Sequence, residues 1–383
     1  MALSISYITD QYLPQTATDT EQLVSMCAAL GQAGADVSIY GPRNWFKPTQ
    51  SVRELADYYK TAESFDYKPV NGLMPTFRGL EKISHPLFSV INKSLRQSDL
   101  IYTRNIPAVL WFLFFTRIPV VYETYRPWPD QKPRTISFFK WLGNHPRMAG
   151  LVLHSKLAAD SYELAGVPSR KMLVAHNGYN PLIMEPVLEK SEAKQLTGLD
   201  PARPVVTYTG RVNMKKGLKV ILTLAESYPA IDFVVVGSEG NGEFERKARF
   251  YNNILVFDWK PFEEVTPFLY ASDILLIPPT TAPLTETGNT VLPMKTFLYM
   301  AANRPILGPD NVDLKEVLKD GETARLIEPD KPDLLITALG DLINDKQLQT
   351  RLASNALASV RNNTWEDRGR NVLGFLHRRI SKP

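Results

Sequence analysis

Val205-Val206-Thr207-Tyr208-Thr209-Gly210-Arg211-Val212-Asn213-Met214-Lys215-Lys216-Gly217 reads as a strand that ends in a glycine turn and hands the chain to a helix. Its first five residues are β-branched or aromatic, the types that pack well on a pleated, buried surface. Helical patterning resumes near Gly217 and runs to Ser227. Gly210 lets the backbone come close to a ligand, Arg211 offers a planar fork of donors, and Lys216 lies near a helix N-terminus, whose dipole attracts anions. Together these residues make an anion site suited to a diphosphate. The blander alternative is a Gly-Arg turn that only closes a loop, with Lys215 solvated.

Outward from this stretch the same alternation recurs. Downstream, strands are expected at Phe233–Val236, Ile254–Phe257, Ile274–Ile277 and Pro305–Gly308, with helices at Glu263–Tyr270 and Met294–Ala302. Upstream, strands Ser4–Ile8 and Asp36–Tyr40 flank a helix Glu21–Ala33, in which Leu23, Met26, Cys27 and Leu30 fall at helical spacing. Further strands are expected at Leu100–Thr103, Pro119–Glu123, Leu151–Leu153 and Met172–Ala175. Strands that alternate with helices in this way form parallel sheets with crossover helices. Pro181–Pro204 loses strand character and reads as a linker between two doubly wound α/β halves. Ligands of open α/β sheets bind at the carboxyl ends of the strands, so the cleft between the halves is the expected site. Arg43–Phe77 is too long for a simple connection and reads as a binding element.

Composition agrees with two domains: 383 residues exceed what one ordinary core supports. With 44% hydrophobic and 22% charged residues the chain is an ordinary globular protein, which excludes disorder. The single Cys27 excludes a disulfide framework within the chain, no Cys/His grouping has zinc spacing, and a reducing, cytoplasmic compartment fits. No basic region precedes an apolar stretch at the N-terminus, so no signal peptide is expected. The most apolar run, Ala108–Phe115, falls far short of the ~20 residues a membrane span needs. The net charge of +4 is uneven: Pro75–Gly150 holds eleven Lys/Arg against four Asp/Glu, interleaved with Phe88, Trp111, Phe112, Phe114, Phe115, Phe138, Phe139 and Trp141. The pattern fits a surface that sits on anionic lipid or receives an anionic acceptor, and equally a solvated basic face over a normal aromatic core.

The ordered motifs resemble the retaining GT-B glycosyltransferases of family 4, the glycosyl transferases group 1, over nearly the whole chain. In that family the residues matching Arg211 and Lys216 grip the diphosphate of the sugar donor. Val234-Val235-Val236-Gly237 resembles the next strand and glycine turn, which places Ser238 and Glu239 near the donor. Val256-Phe257-Asp258-Trp259-Lys260-Pro261 resembles the segment that reads the nucleotide base, and Ala271 to Pro279 the strand leading to the donor loop. Gly288 to Pro305 looks like the loop and helix beneath the donor, so Asn289, Val291 and Leu292 join the expected binding residues. There Pro293 would open a helix whose free amides face the distal phosphate. The family usually carries two Glu eight positions apart in this segment, the first touching donor sugar hydroxyls and the second clamping the ribose. Here Thr290 and Leu298 stand in those places, and Glu286 is the nearest substitute.

In the first half, Asp10–Glu21 occupies the family's first loop without a glycine, leaving Thr16 and Thr18 as phosphate donors or as helix caps. Ile101 to Asn105 and Val120 to Pro127 resemble two strand ends that line the cleft. They bring Arg104, Glu123, Tyr125 and Arg126 to the acceptor side, with His154 from the next strand. Tyr125 falls where the family commonly has His; it donates a hydrogen bond but is a poor proton acceptor at neutral pH. Asn177-Gly178 reads as turn chemistry. Trp365–Ile380 resembles the family's final helix, which packs back on the first domain.

The resemblance implies two facing Rossmann-like domains, residues 1–183 and 184–364, with 365–383 as the returning helix. It implies glycosyl transfer from a nucleotide diphosphate sugar to an acceptor hydroxyl with retention, in polysaccharide, glycolipid or glycoconjugate synthesis. Arg211, Lys216 and Tyr125 are then the expected catalytic residues. Such a site requires no metal, no Asp-x-Asp motif is present to hold one, and no cofactor is expected beyond the nucleotide sugar substrate. The expected partners are the nucleotide sugar and an acceptor glycan, lipid or small molecule, with peripheral contact at the inner membrane face and no nucleic acid. Thr290, Leu298 and Tyr125 motivate one alternative, a degenerate GT-B protein that binds without transfer. A related epimerase or phosphorylase is another.

Overall fold

The structure, a computed structural model, describes residues 2–44, 48–71, 81–92, 95, 97–281 and 292–380. The chain divides into two units, Met1–Gly178 with Thr364–Pro383, and Tyr179–Asn363. Among the described residues each unit holds one sheet, and every strand pairing in both is parallel.

In the first unit the order is β3-β2-β1-β4-β5-β6-β7. The strands are β1 (Ser4–Ile8), β2 (Asp36–Tyr40), β3 (Asp66–Tyr67), β4 (Leu100–Thr103), β5 (Val120–Thr124), β6 (Met148–Leu153) and β7 (Met172–Val174). Parallel neighbours need crossover connections, and helices that cover both faces turn the strands into continuous buried runs. All of β4, β5 and β6 is buried. Ile5 and Tyr7 of β1 pack into one apolar layer with Val24, Cys27 and Phe375, while Ile8 faces the opposite layer with Ile101, Phe112 and Tyr162. The strand order reverses between β1 and β4, which creates the crevice where open sheets bind ligands.

In the second unit the order is β10-β9-β8-β11-β12-β13. Its strands are β8 (Val205–Thr209), β9 (Asp232–Ser238), β10 (Ile254–Asp258), β11 (Ile274–Leu276), β12 (Ile306–Pro309) and β13 (Arg325–Ile327). The reversal lies between β8 and β11, so the stretch quoted first sits at a switch point.

The returning helix Trp365–Ile380 belongs to the first unit, and Thr364 with Asp367 forms a capping box at its start. Gly369 sits so close to the helix Thr18–Gln32 that a Cβ there would lie 2.6 Å from the backbone of Ala29. Gly178 serves the same return. A Cβ on it would meet Trp365 N at 2.6 Å, and its φ is not positive, so close packing rather than turn geometry requires the glycine.

Two expectations need correction. Pro181–Pro204 is part of the second unit rather than a bare linker: the helix Lys190–Thr197 packs on Phe262–Ala271, with Ala193 fully buried. Its charged residues masked a single buried stripe. Within Arg43–Phe77, a helix Val52–Tyr59 and strand β3 occupy part of the presumed loop, and a Ser51/Glu54 capping box opens that helix. Residues 45–47 and 72–77 lie outside the described set.

Candidate functional site

Both switch points carry the residues that the sequence singles out. In the second unit, Gly210 follows β8 with φ +121°, and its amide donates to Val236 O on β9 (2.9 Å). Gly237, second from the end of the adjacent strand, has φ +119°, and a Cβ there would lie 2.5 Å from Gly210 O. The two strand ends therefore pack backbone to backbone. Arg211 is exposed and its Nε donates to Glu239 Oε1 (3.2 Å). Met214–Lys216 forms a 3-10 turn closed by Gly217 at φ +76°, and the helix Lys219–Ser227 follows. Lys216 is half-buried; burial, reinforced by the nearby Arg211 charge, holds its ammonium below the ordinary lysine range. Lys215 is exposed.

A third cation joins them that the sequence reading passed over. Lys295 Nζ lies 3.7 Å from the centroid of the Tyr208 ring and 3.1 Å from where a Gly210 Cβ would stand. It has no carboxylate partner among the described residues. Burial, with Lys216 adding like-charge repulsion, pushes its ammonium well below the ordinary range. A cation in this position is destabilised until an anion joins it. An isolated Lys in the apolar run Leu292-Pro293-Met294-Lys295-Thr296-Phe297 was the available signal. Tyr299, one turn further on, is buried and accepts from Thr209 N (2.8 Å), which fixes the end of β8 against this helix.

The remaining expected residues take varied places. Ser238 is buried and donates to Glu245 Oε1 (2.7 Å), so its hydroxyl is occupied within the protein. Phe257 packs against Phe268 in the core, with ring centroids 4.7 Å apart. Trp259 presents an exposed indole, while its amide donates to Ser238 O (2.8 Å). The Leu292 side chain is buried and Leu298 packs against the same core. The helix Lys295–Ala301 does not offer a full set of free amides: Thr296 and Phe297 donate to Pro293 O and Met294 O. Glu286, Asn289, Thr290 and Val291 lie outside the described residues.

In the first unit a cavity of about 360 Å3 opens at the carboxyl ends of β1, β4 and β5. Arg104, Glu123, Tyr125 and Arg126 all line it, with Asp10, Asp19 and Trp128. Arg104 donates to Gln22 Oε1 (2.8 Å) and lies 3.6 Å from Asp19. Arg126 sits over the Trp128 ring at 5.0 Å and over Tyr125 at 5.6 Å, a cation–π arrangement that orients the guanidinium without neutralising it. Glu123 is held from behind: its Oε1 accepts from His154 Nε2 (2.6 Å) and Arg368 Nη2 (2.9 Å). Burial would raise the Glu123 carboxyl, but the Arg368 charge and the His154 hydrogen bond outweigh it and hold the carboxylate ionised. Burial lowers His154 to about 4, so at neutral pH it is an uncharged donor to Glu123, and it does not line the cavity. Thr16 is exposed and also lies off the cavity; Ala17, not a threonine, occupies the N-cap of Thr18–Gln32. Among the described residues, no group of three His, Cys, Asp or Glu is placed to hold a metal ion.

Residues 203–345, which contain the three cations and both glycine turns, match the family described as Glycosyl transferases group 1. This stretch, under half of the chain, is similar to group 1 glycosyltransferases. Likeness of fold extends over the chain as a whole. Anabaena Alr3699/HepE, solved in complex with UDP-glucose, superimposes with a TM-score of 0.73 over 98% of this chain and 100% of its own, at 15% identity. That is the GT-B architecture of two Rossmann-like domains. The chain is also 21% identical over 196 residues to D-inositol 3-phosphate glycosyltransferase of Corynebacterium urealyticum, covering 47% of this chain and 44% of that one. It is 26% identical over 185 residues to alpha-galactosylglucosyldiacylglycerol synthase of Streptococcus pneumoniae, covering 46% and 47%. It thus spans less than half the length of the curated relatives it matches.

Proposed function

We propose that the protein transfers a glycosyl group from a nucleoside diphosphate sugar to an acceptor hydroxyl, with retention at the anomeric carbon. The observation that carries this reading is the convergence of Arg211, Lys216 and Lys295 around Gly210 at the end of β8. In the transfer, the bond from the anomeric carbon to the distal phosphate oxygen breaks and the acceptor oxygen bonds to the same face. The acceptor's proton passes to the departing phosphate. Negative charge grows on the diphosphate as the sugar becomes cation-like, so fixed cations at that point lower the barrier. Arg211 exchanges Glu239 for phosphate, and Lys295 gains the counter-ion its half-buried position lacks. No metal is needed for this charge balance. The cavity that Tyr125 and Arg126 line takes the acceptor, with Tyr125 donating a hydrogen bond rather than accepting the proton. Glycan, lipid and small-molecule acceptors all fit the chemistry, in polysaccharide, glycolipid or glycoconjugate assembly.

A second reading, binding without transfer, is favoured by Leu298, whose apolar side chain packs into the core where the resemblance expects a ribose-holding carboxylate. One experiment separates the two. Thermal melts with UDP, GDP, ADP and TDP are expected to show stabilisation by one diphosphate; at a hundred times its dissociation constant the gain is about 2.7 kcal/mol. The gain should disappear in Arg211→Ala and Lys216→Ala. UDP is tested first because the Anabaena structure holds UDP-glucose. Slow hydrolysis of the matching nucleotide sugar supports transfer, stabilisation without turnover supports binding alone, and no stabilisation by any diphosphate overturns both.

A further inference from the structure

The uneven charge and aromatic content of the first unit resolve into two populations. Phe112 and Phe139 are core residues, but Phe114 and Phe115 remain 62% and 63% exposed at the end of the helix Ile106–Phe115. Phe114 stacks on the exposed Trp141 of the helix Ile136–Asn144, with centroids 6.0 Å apart. Packed beside them, the helix Glu81–Ile91 turns Ile83, Leu87 and Ile91 outward at positions i, i+4 and i+8. Between these helices runs a groove of about 350 Å3 whose lining side chains, from Ile83 to Phe114, are all apolar. Exposed apolar side chains clustered in this way mark an interaction surface.

The charges around the patch select the partner. Arg117 lies two residues beyond Phe115, Lys140 precedes Trp141, and Arg134 lies two residues before the exposed Ile136; all three are exposed. From Glu81 to Arg147 the chain has ten Lys/Arg against four acidic residues, Glu81, Asp99, Asp130 and Glu123, the last of them buried and paired. We propose that this face docks the protein on the surface of an anionic lipid bilayer. Protruding Phe, Trp and Ile enter the region between headgroups and acyl chains, while the rim cations meet anionic headgroups, the division of labour of interfacial helices. A second copy presenting the same face would bring Arg117, Arg134 and Lys140 against their own kind, which opposes self-association. Among the described residues no helix is long and apolar enough to cross a membrane, so the contact is peripheral. The inference rests on the surface alone and requires nothing of the sugar-donor site.

The test is co-sedimentation of the full chain with vesicles of phosphatidylcholine, with and without phosphatidylglycerol. Binding is expected with the anionic vesicles, weakened by salt. Each cation at such a surface contributes about fivefold to partitioning, so Arg117→Glu with Lys140→Glu should reduce it by more than tenfold. Phe114→Ser with Phe115→Ser should abolish what remains at high salt. Both double variants alter exposed side chains, so their melting curves and diphosphate-induced shifts should match the parent. The proposal is overturned if anionic vesicles fail to bind at low salt, or if either double variant binds like the parent. It is also overturned if the phenylalanine variant instead dissolves a dimer seen by sedimentation equilibrium.

Discussion

Replacing Arg368 by Met tests whether the returning helix is held by charge as well as by packing. Arg368 and Glu123 are only 3% and 4% exposed, and the pair meets at 2.9 Å. The guanidinium also donates from Nε to His176 O (3.0 Å). Removing it leaves an ionised carboxylate in the interior with His154 as its remaining close donor. The loss of one partner from a buried pair costs about 3–5 kcal/mol, far more than the pair contributes relative to an apolar replacement. For a unit of this size, with roughly 2–4 °C per kcal/mol, the melting temperature should fall by roughly 6–20 °C. Urea denaturation of Arg368→Met, Glu123→Gln and the double variant completes a cycle that isolates the coupling. In the double variant no bare charge is left, the amide oxygen introduced at position 123 would still accept from His154, and most of the loss should be recovered. A single Arg368→Met variant within about 1 kcal/mol of the parent, with no gain on adding Glu123→Gln, would refute the reasoning.

Lys295→Met should weaken a bound nucleoside diphosphate by about ten- to a hundredfold, the worth of one charge-assisted contact, while leaving the free nucleoside unaffected; titration calorimetry with both ligands measures the difference. Gly237→Ala forces a side chain to φ +119° and against Gly210 O, so it should cost about 1–3 kcal/mol in urea melts and impair diphosphate binding as well. The His154 imidazole is held at about 4 against an ordinary 6.5. Because the folded state disfavours its protonation, its contribution is present above pH 6.5 and is lost as pH falls through about 4. Urea midpoints should decline across that window, and His154→Gln should decline less.

The strands were legible because a parallel sheet covered on both faces writes apolar, β-branched runs into the sequence. Ser4–Ile8, Asp36–Tyr40, Leu100–Thr103 and Val205–Thr209 carry the bounds read from pattern alone. Strand β3, two residues long, holds too few residues to show any period, and β13 opens on a charged Arg325 that breaks the apolar run. The helix Lys190–Thr197 was hidden by its charges: Lys194 is nearly buried yet satisfied by Arg203 O, a contact no spacing rule foresees. At the site, Gly210, Arg211 and Lys216 were readable because one turn contains them all. Lys295 comes from another element, and Arg368 reaches Glu123 across 245 positions, so neither was accessible to local pattern.

The discontinuous first unit also orders events during synthesis. The ribosome releases Tyr179–Asn363 in full before Thr364–Ile380 emerges, so the second sheet has all its strands while the first still lacks a covering helix. Until that helix arrives, the apolar layer that will receive Val372, Phe375 and Leu376 stays open to water. The usual order, in which N-terminal domains finish first, is therefore inverted in this chain. A chain cut short before Thr364 would hold the whole of the second unit and a first unit without its covering helix.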